Sequence, residues 1–409
     1  MNKLFLLFAM YALFLVLACK TETVVPNPVD LTCVGQQNVP ELSRDNNAFG
    51  FEMLKKLQSH NPNDNLFISP LSIAAALSMT LNGAAGGTKT AMQQTMHLSD
   101  WEIQQLNSAW ACLLEVLPQL DADVDVNIAN SIWYRQGYPV RQEFLDANTQ
   151  NYDSEVAALN FGDPSALTTI NGWVDQKTNG LIETILDEIP ANAIMYLINA
   201  VYFKGAWKKE FDPQYTSDAT FYLADGSQQA IKMMTHGQTT LPYFTTSTFE
   251  AVDLAYADSI YSMSIFLPKV GVSVNELANT LSESNWNTWL ASFQPQEMFF
   301  SMPKFKMSYK EKLNRSLSEL GMGIAFRDDA DFSGINGTGG LYIDEAIHKS
   351  FIEVNEEGTE AAAVTSIGIV ETSAPAIPIF YADRPFLFTI RENKTGSILF
   401  FGKLMDPEG

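Results

Sequence analysis

Basic side chains are scarce in this chain of 409 residues: 25 Lys and Arg stand against 47 Asp and Glu, a formal net charge of −22. A surface this acidic repels phosphate and argues against nucleic acid or anionic membrane as bulk partners. The acidity itself reads as solubility rather than mechanism. Histidine is also scarce. His60, His97, His236 and His348 are scattered, and Cys19, Cys33 and Cys112 lie far apart. No metal-ligand spacing results, and no cofactor is expected. A nucleophile elbow of the Gly-x-Ser-x-Gly type is missing. Gly83-Ala-Ala-Gly-Gly-Thr-Lys89 starts like a phosphate loop but carries Thr88 where the second fixed glycine belongs. Asp329-Ala-Asp331 opens like a calcium loop, yet Gly340 stands where the bidentate Glu should be. These absences point away from an enzyme.

What is present is a packed globular composition, 46% hydrophobic and 18% charged, which excludes a disordered chain or a small disulfide scaffold. Lys3 precedes Leu4–Leu17, an apolar or small run of 14 residues. That is too short to cross a hydrocarbon core of ~30 Å and suits a signal peptide over residues 1–18. The run ends at Ala18-Cys19, which resembles a bacterial lipobox, so lipidation is expected at Cys19. An ordinary secretory signal is the alternative. Residues 19–42 are polar and Pro-containing and read as a tether; about 20 flexible residues reach ~25 Å. No second linker or internal repeat divides the rest. Residues 43–409 therefore read as one large domain, although length alone suggests two or three. Cys33 and Cys112 could pair, but two cysteines without a pattern establish nothing. Within Ala109-Trp-Ala-Cys-Leu-Leu114 a buried free thiol is the favoured reading.

The elements are mixed, α+β. Ala48, Phe51, Leu54 and Leu57 recur at helical spacing. Ser69 followed by Pro70 starts a helix over 70–77. Residues 127–134 and 195–203 read as strands buried on both faces. Residues 171–177 read as helical, ended by Asn179-Gly180. Residues 386–390 and 397–401 flank a turn and predict a hairpin.

Residues 353–380 stand apart. Beyond Glu360 the side chains are small or β-branched, and Glu371 is the lone charge before Asp383. At a period of two, Thr359, Ala361, Ala363, Thr365, Ile367 and Ile369 share one face. No proline lies between Thr359 and Ser373, so every amide there is free to join a ladder. An edge strand with a surface loop is the plainer reading of the same residues.

Glu353-Val-Asn-Glu-Glu-Gly-Thr-Glu-Ala-Ala-Ala363, Phe380–Phe388 and Gly396–Lys403 resemble the hinge and C-terminal signature of the serpins, the suicide-type protease inhibitors. Asn65–Ser72, Asn199–Trp207 and Met302–Phe305 extend the likeness, which covers roughly residues 45–407. The resemblance implies one domain of three β-sheets and eight or nine helices with an exposed reactive-centre loop. A target protease forms an acyl-enzyme with that loop, which then inserts into the central sheet. It implies no catalytic residue and no metal. The partner is a protease held covalently, the only membrane contact is a lipid anchor, and the chain is a monomer. The hinge would be Glu357, Gly358, Thr359, Glu360, Ala361, Ala362 and Ala363. Ser69, Ser72, Asn199 and His348 would form the shutter beneath the central strands, and Trp207 the breach where insertion starts. The family's usual spacing carries Gly358 to Thr372, so Thr372–Ser373 is the expected reactive bond. Val370, Glu371 and Ala374 mark the alternatives.

A small Thr at the cleaved bond fits a shallow, elastase-like pocket. No Lys or Arg lies between Glu353 and Arg384 to suit a trypsin-like enzyme. Papain-like cysteine proteases, and a non-inhibitory role as carrier or chaperone, remain as alternatives. The expected location is a bacterial cell envelope or surface, with the outer membrane favoured, or secretion.

Overall fold

The computed structural model describes residues 31–359 and 377–409. Cys19, Glu360–Ala363 and Val370–Ala374 lie outside the described residues.

Three sheets and eleven α-helical segments make up the described chain, more helices than the eight or nine expected, because several are single turns such as Asn314–Leu317 and Ser333–Asn336. The nine-stranded sheet runs from Leu66–Ile68 through Ile398–Leu404 and Phe386–Glu392 to Gln294–Pro303, and ends on the short strand Ile379–Tyr381. The predicted hairpin forms within it, Phe388 facing Gly402 in antiparallel register. A Cβ on Gly402 would sit 2.0 Å from the Phe388 ring. Glycine therefore lets that ring cross the neighbouring strand. A four-stranded sheet has the order Gly358–Thr359, Met195–Ala206, Val124–Arg135, Ser154–Leu159. Phe305–Lys312 and Ile347–Val354 form a separate antiparallel pair.

The Pro70–Leu81 helix begins as its sequence dictates. The Ser69 hydroxyl accepts from the Ser72 amide at 3.1 Å, and Pro70 fills the first turn. Such a cap is worth about 1 kcal/mol. The helix is apolar nearly all round and almost wholly buried, as a helix with core on every side must be. The Ser165–Lys177 helix starts earlier than predicted and ends at Asn179 and Gly180, both at positive φ. It lays Ile170 and Trp173 over the four-stranded sheet, where Trp173 meets Trp133 edge-on at 6.0 Å.

Three expectations need correction. Residues 32–42 are helical: a turn at Thr32–Gln36 precedes the long Val39–His60 helix. Pro40 stands in the first turn of that helix, where its missing N–H costs nothing, so it marks a start and not a tether. Cys33 and Cys112 are joined, with Cα atoms 5.9 Å apart. Cys112 lies on the buried face of the Ile103–Val116 helix and meets the turn that carries Cys33. The strand Met195–Ala206 is half-buried, not buried on both faces, because one of its edges faces a cavity.

Reducing the disulfide is expected to lower the melting temperature by about 6 °C. A sequence separation of 79 corresponds to about 4–5 kcal/mol of loop entropy, spread over the unfolding entropy of a domain this size. Thermal scans with and without dithiothreitol, with thiols counted, check it.

Candidate functional site

The four-stranded and two-stranded sheets are the two halves of an interrupted one. Met195–Ala206 and Ile347–Val354 share no ladder bond among the described residues. Between their lower halves lies a cavity of about 300 Å³, lined by Ser72, Ile198, Asn199, Leu317, Ile347 and His348 among others. Among the described residues the halves are joined at the top, where Gly358 and Thr359 pair with Ala206 and Gly205.

That join is built tightly. Gly358 has φ +154°, and a Cβ there would lie 2.2 Å from the Gly205 carbonyl oxygen, so no other residue fits without moving the strand. Thr359 is buried, and its hydroxyl lies 2.8 Å from the Tyr256 hydroxyl. Of the face that sequence assigned to Thr359, Ala361 and Ala363, this described member points inward. Trp207 stacks on Tyr256 at 4.5 Å and donates its indole N–H to the Asn355 carbonyl at 3.0 Å. Its backbone N–H donates to the Glu357 carbonyl at 2.9 Å. Trp207 thus holds the turn between the Ile347–Val354 strand and the hinge from below.

Glu356, absent from the sequence-based site, clamps the same turn. Its carboxylate accepts from Thr216 at 2.9 Å and from Lys304 at 2.8 Å. Burial alone would raise its pKa, but the Lys304 ammonium, a backbone amide and the Thr216 hydroxyl outweigh that and hold the carboxyl below its usual range. The neighbouring Glu357 is pushed up by partial desolvation and by Glu210 and Glu356.

Ser69, Ser72, Asn199 and His348 converge beneath the cavity. The Ser69 amide donates to His348 Nε2 at 3.1 Å, so this nitrogen is unprotonated. The Ser72 hydroxyl donates to Asn199 Oδ1. Asn199 Nδ2 donates to Asn130 Oδ1, and Asn130 Nδ2 to the Tyr152 carbonyl, both at 2.6 Å. A second run continues from the Tyr152 hydroxyl to Asn107 at 3.0 Å, from Asn107 to Asn82 at 2.9 Å and from Asn82 to Asn148 at 3.1 Å. This amide chain ties the cavity floor to helices well behind it. Asn130 had a sequence signal that went unused. Asn is depleted in strands, so its presence in Val124–Arg135 asks for a partner.

Burial lowers the His348 pKa to about 4. His236, stacked on Phe211 at 3.9 Å, is lowered to about 4 by burial and by Lys209. Phe211 donates its amide to the Glu356 carbonyl at 2.8 Å. Both folded-state values lie below the unfolded value of about 6.5. Each imidazole therefore supports the fold fully above pH 6.5, and that support drains away as pH falls toward 4. The expected loss is about 3 kcal/mol per histidine by pH 4. Urea unfolding at pH 7.5 and 4.5 checks this, and His348→Gln should flatten the dependence.

Among the described residues no group of three metal-ligating side chains occurs, and no helix is long and apolar enough to cross a membrane.

Residues 44–407 match the family model described as Serpin (serine protease inhibitor). The chain is 35% identical to Iripin-8 of Ixodes ricinus over 379 residues, covering 89% of this chain and 93% of that protein. It is 35% identical over 371 residues to the leukocyte elastase inhibitor of Xenopus tropicalis, covering 88% and 97%. Its fold matches the native state of the thermophilic serpin Tengpin with a TM-score of 0.81 at 33% identity, covering 90% of this chain and 94% of that one.

Proposed function

The chain belongs to the serpin family, and from that premise we propose that it is an inhibitory serpin, a covalent trap for serine proteases of elastase-like preference. One observation carries the proposal: among the described residues no ladder bond joins the edges of Met195–Ala206 and Ile347–Val354, and the expected hinge follows the second of them after a short turn. Two facing edges that no other described strand bridges are a template for one more strand. The segment that follows Thr359 is made to fill it. The face it would turn inward begins with Ala361, Ala363 and Thr365, and no proline stands before Pro375.

Insertion must outrun hydrolysis of the acyl-enzyme. Small side chains on the inserting face shorten that race, whereas bulk or charge would lengthen it and make the protein a substrate. A Thr372–Ser373 bond, uncharged and β-branched on one side, suits a shallow specificity pocket. One relative is named leukocyte elastase inhibitor, which agrees with that preference. The proposal includes a lipid on Cys19 in a bacterial envelope, and a monomer free of other partners.

Mixing the protein with an elastase-type serine protease is expected to give an SDS-stable complex. Mass spectrometry should find a released peptide starting at Ser373. Cleavage without a stable complex, across a panel of serine and cysteine proteases, would falsify the inhibitory reading and leave the carrier role.

A further inference from the structure

Five large apolar side chains are exposed among the described residues, and three of them gather in one place. Ile379 is 65% exposed and Tyr381 38%, on the same face of the short strand that ends the nine-stranded sheet. Tyr222 is 47% exposed, and its amide donates to the Asp383 carbonyl at 2.7 Å, two residues beyond Tyr381. Phe380 between them is fully buried against Phe300 at 5.5 Å. The strand is therefore pinned while its outer face is bare. Single exposed apolar residues need no explanation, but a cluster does.

The mode of contact can be narrowed. The strand has three residues and is preceded by Pro378, which lacks an N–H. Short length and proline are how sheets blunt an edge, so a partner adding its own strand is disfavoured. The side chains are the contact. The chain continues directly into them from the expected reactive bond. Ile379 follows Ser373 by six residues, a contour of at most ~20 Å. A standard interface buries roughly 800 Å² per partner, a patch about 30 Å across. A protease seated on the bond thus overhangs this strand on its primed side.

We propose that Ile379, Tyr381 and Tyr222 form a second contact for the attacking protease. It would select enzymes whose surface beside the primed end of the cleft is apolar or aromatic. Tyrosine offers such contact area at low entropic cost. This proposal rests on the reading that a protease attacks the loop, but not on the loop's later insertion.

The test measures how fast an elastase-type protease consumes the intact chain, whether into complex or into cleaved product. Ile379→Ser/Tyr381→Ser and Tyr222→Ser are compared with the parent and with a free peptide of residues 364–378. Consumption of the double variant is expected to fall about 10-fold, as for loss of central anchors. The ratio of complex to cleaved product should stay the same, and the melting temperature should change little, since all three side chains are exposed. The difference should persist at 1 M salt, where charges are screened beyond about 3 Å; one that vanishes there is electrostatic rather than apolar contact and overturns the proposal. So does consumption within two-fold of the parent. If the parent is cleaved without being trapped, the inhibitory reading fails, yet the rates still report on the patch. If the parent is no better a target than the peptide, the patch contributes nothing.

Discussion

Cutting the chain once between Thr372 and Ser373 is expected to raise its melting temperature by about 20 °C. Few proteins gain stability from a broken backbone, and the gain follows from the divided sheet. Met195–Ala206 has 12 residues, of which Gly205 and Ala206 already pair with Thr359 and Gly358, and Ile347–Val354 has 8. A strand between them completes about 15 ladder bonds at about 1 kcal/mol each. Spread over the unfolding entropy of a domain spanning residues 44–407, at about 2.1 cal/mol/K per residue, this becomes about 20 °C. Calorimetry before and after a limited digest that leaves both fragments together is the measurement. Ala363→Arg puts a guanidinium on the face that must turn inward and should abolish most of the gain. A nicked protein that melts at or below the temperature of the intact one would sink the insertion mechanism.

Asn199→Ala should be the most damaging single change in the polar network beneath the cavity. Asn199 accepts from Ser72 and donates to Asn130, so its loss leaves a hydroxyl and an amide oxygen without partners. Each orphan costs about 1–3 kcal/mol, and the loss is expected near 4 kcal/mol, a fall of about 5 °C. Asn199→Asp keeps the acceptor and drops the donor, and should lose about half. Asn127→Ala is the control, because Asn127 donates to the Lys177 carbonyl outside the network. Its cost should be about 1 kcal/mol. A thermal scan that places Asn199→Ala beside this control would show that the chain of amides carries no weight.

The sequence exposed features whose cause is local. Ser69-Pro70 announces a helix start because capping is settled within four residues. The Phe386–Leu404 hairpin follows from two apolar runs around a turn. The small side chains and the lack of proline after Thr359 are local features too, but those residues lie outside the described ones. Features that depend on distant partners were hidden. Asn199 meets Asn130 across 69 positions and Ser72 across 127, and no pattern along the chain announces such a meeting. The Cys33–Cys112 bond spans 79 positions. From sequence alone Cys112 was one more apolar neighbour of Trp110. Glu356 stands within the Glu353–Ala363 stretch, but its role depends on Lys304 and Thr216, 52 and 140 positions away. Pro40 was a different kind of miss. The signal is local, a proline in the first turn of a helix, within the span 19–42 that composition marks as tether.

The Cys33–Cys112 bond also decides how the molecule bears a pull on its N-terminus. Without it, force would unwind the Thr32–Gln36 turn and then peel Val39–His60 one turn at a time. With it, the pull passes through sulfur into the Ile103–Val116 helix. The helices Val39–His60, Pro70–Leu81 and Gly86–Thr95 lie inside a closed covalent ring, which the tension bypasses as long as the disulfide holds. A protein tugged from that end is gripped near its middle rather than frayed from its edge.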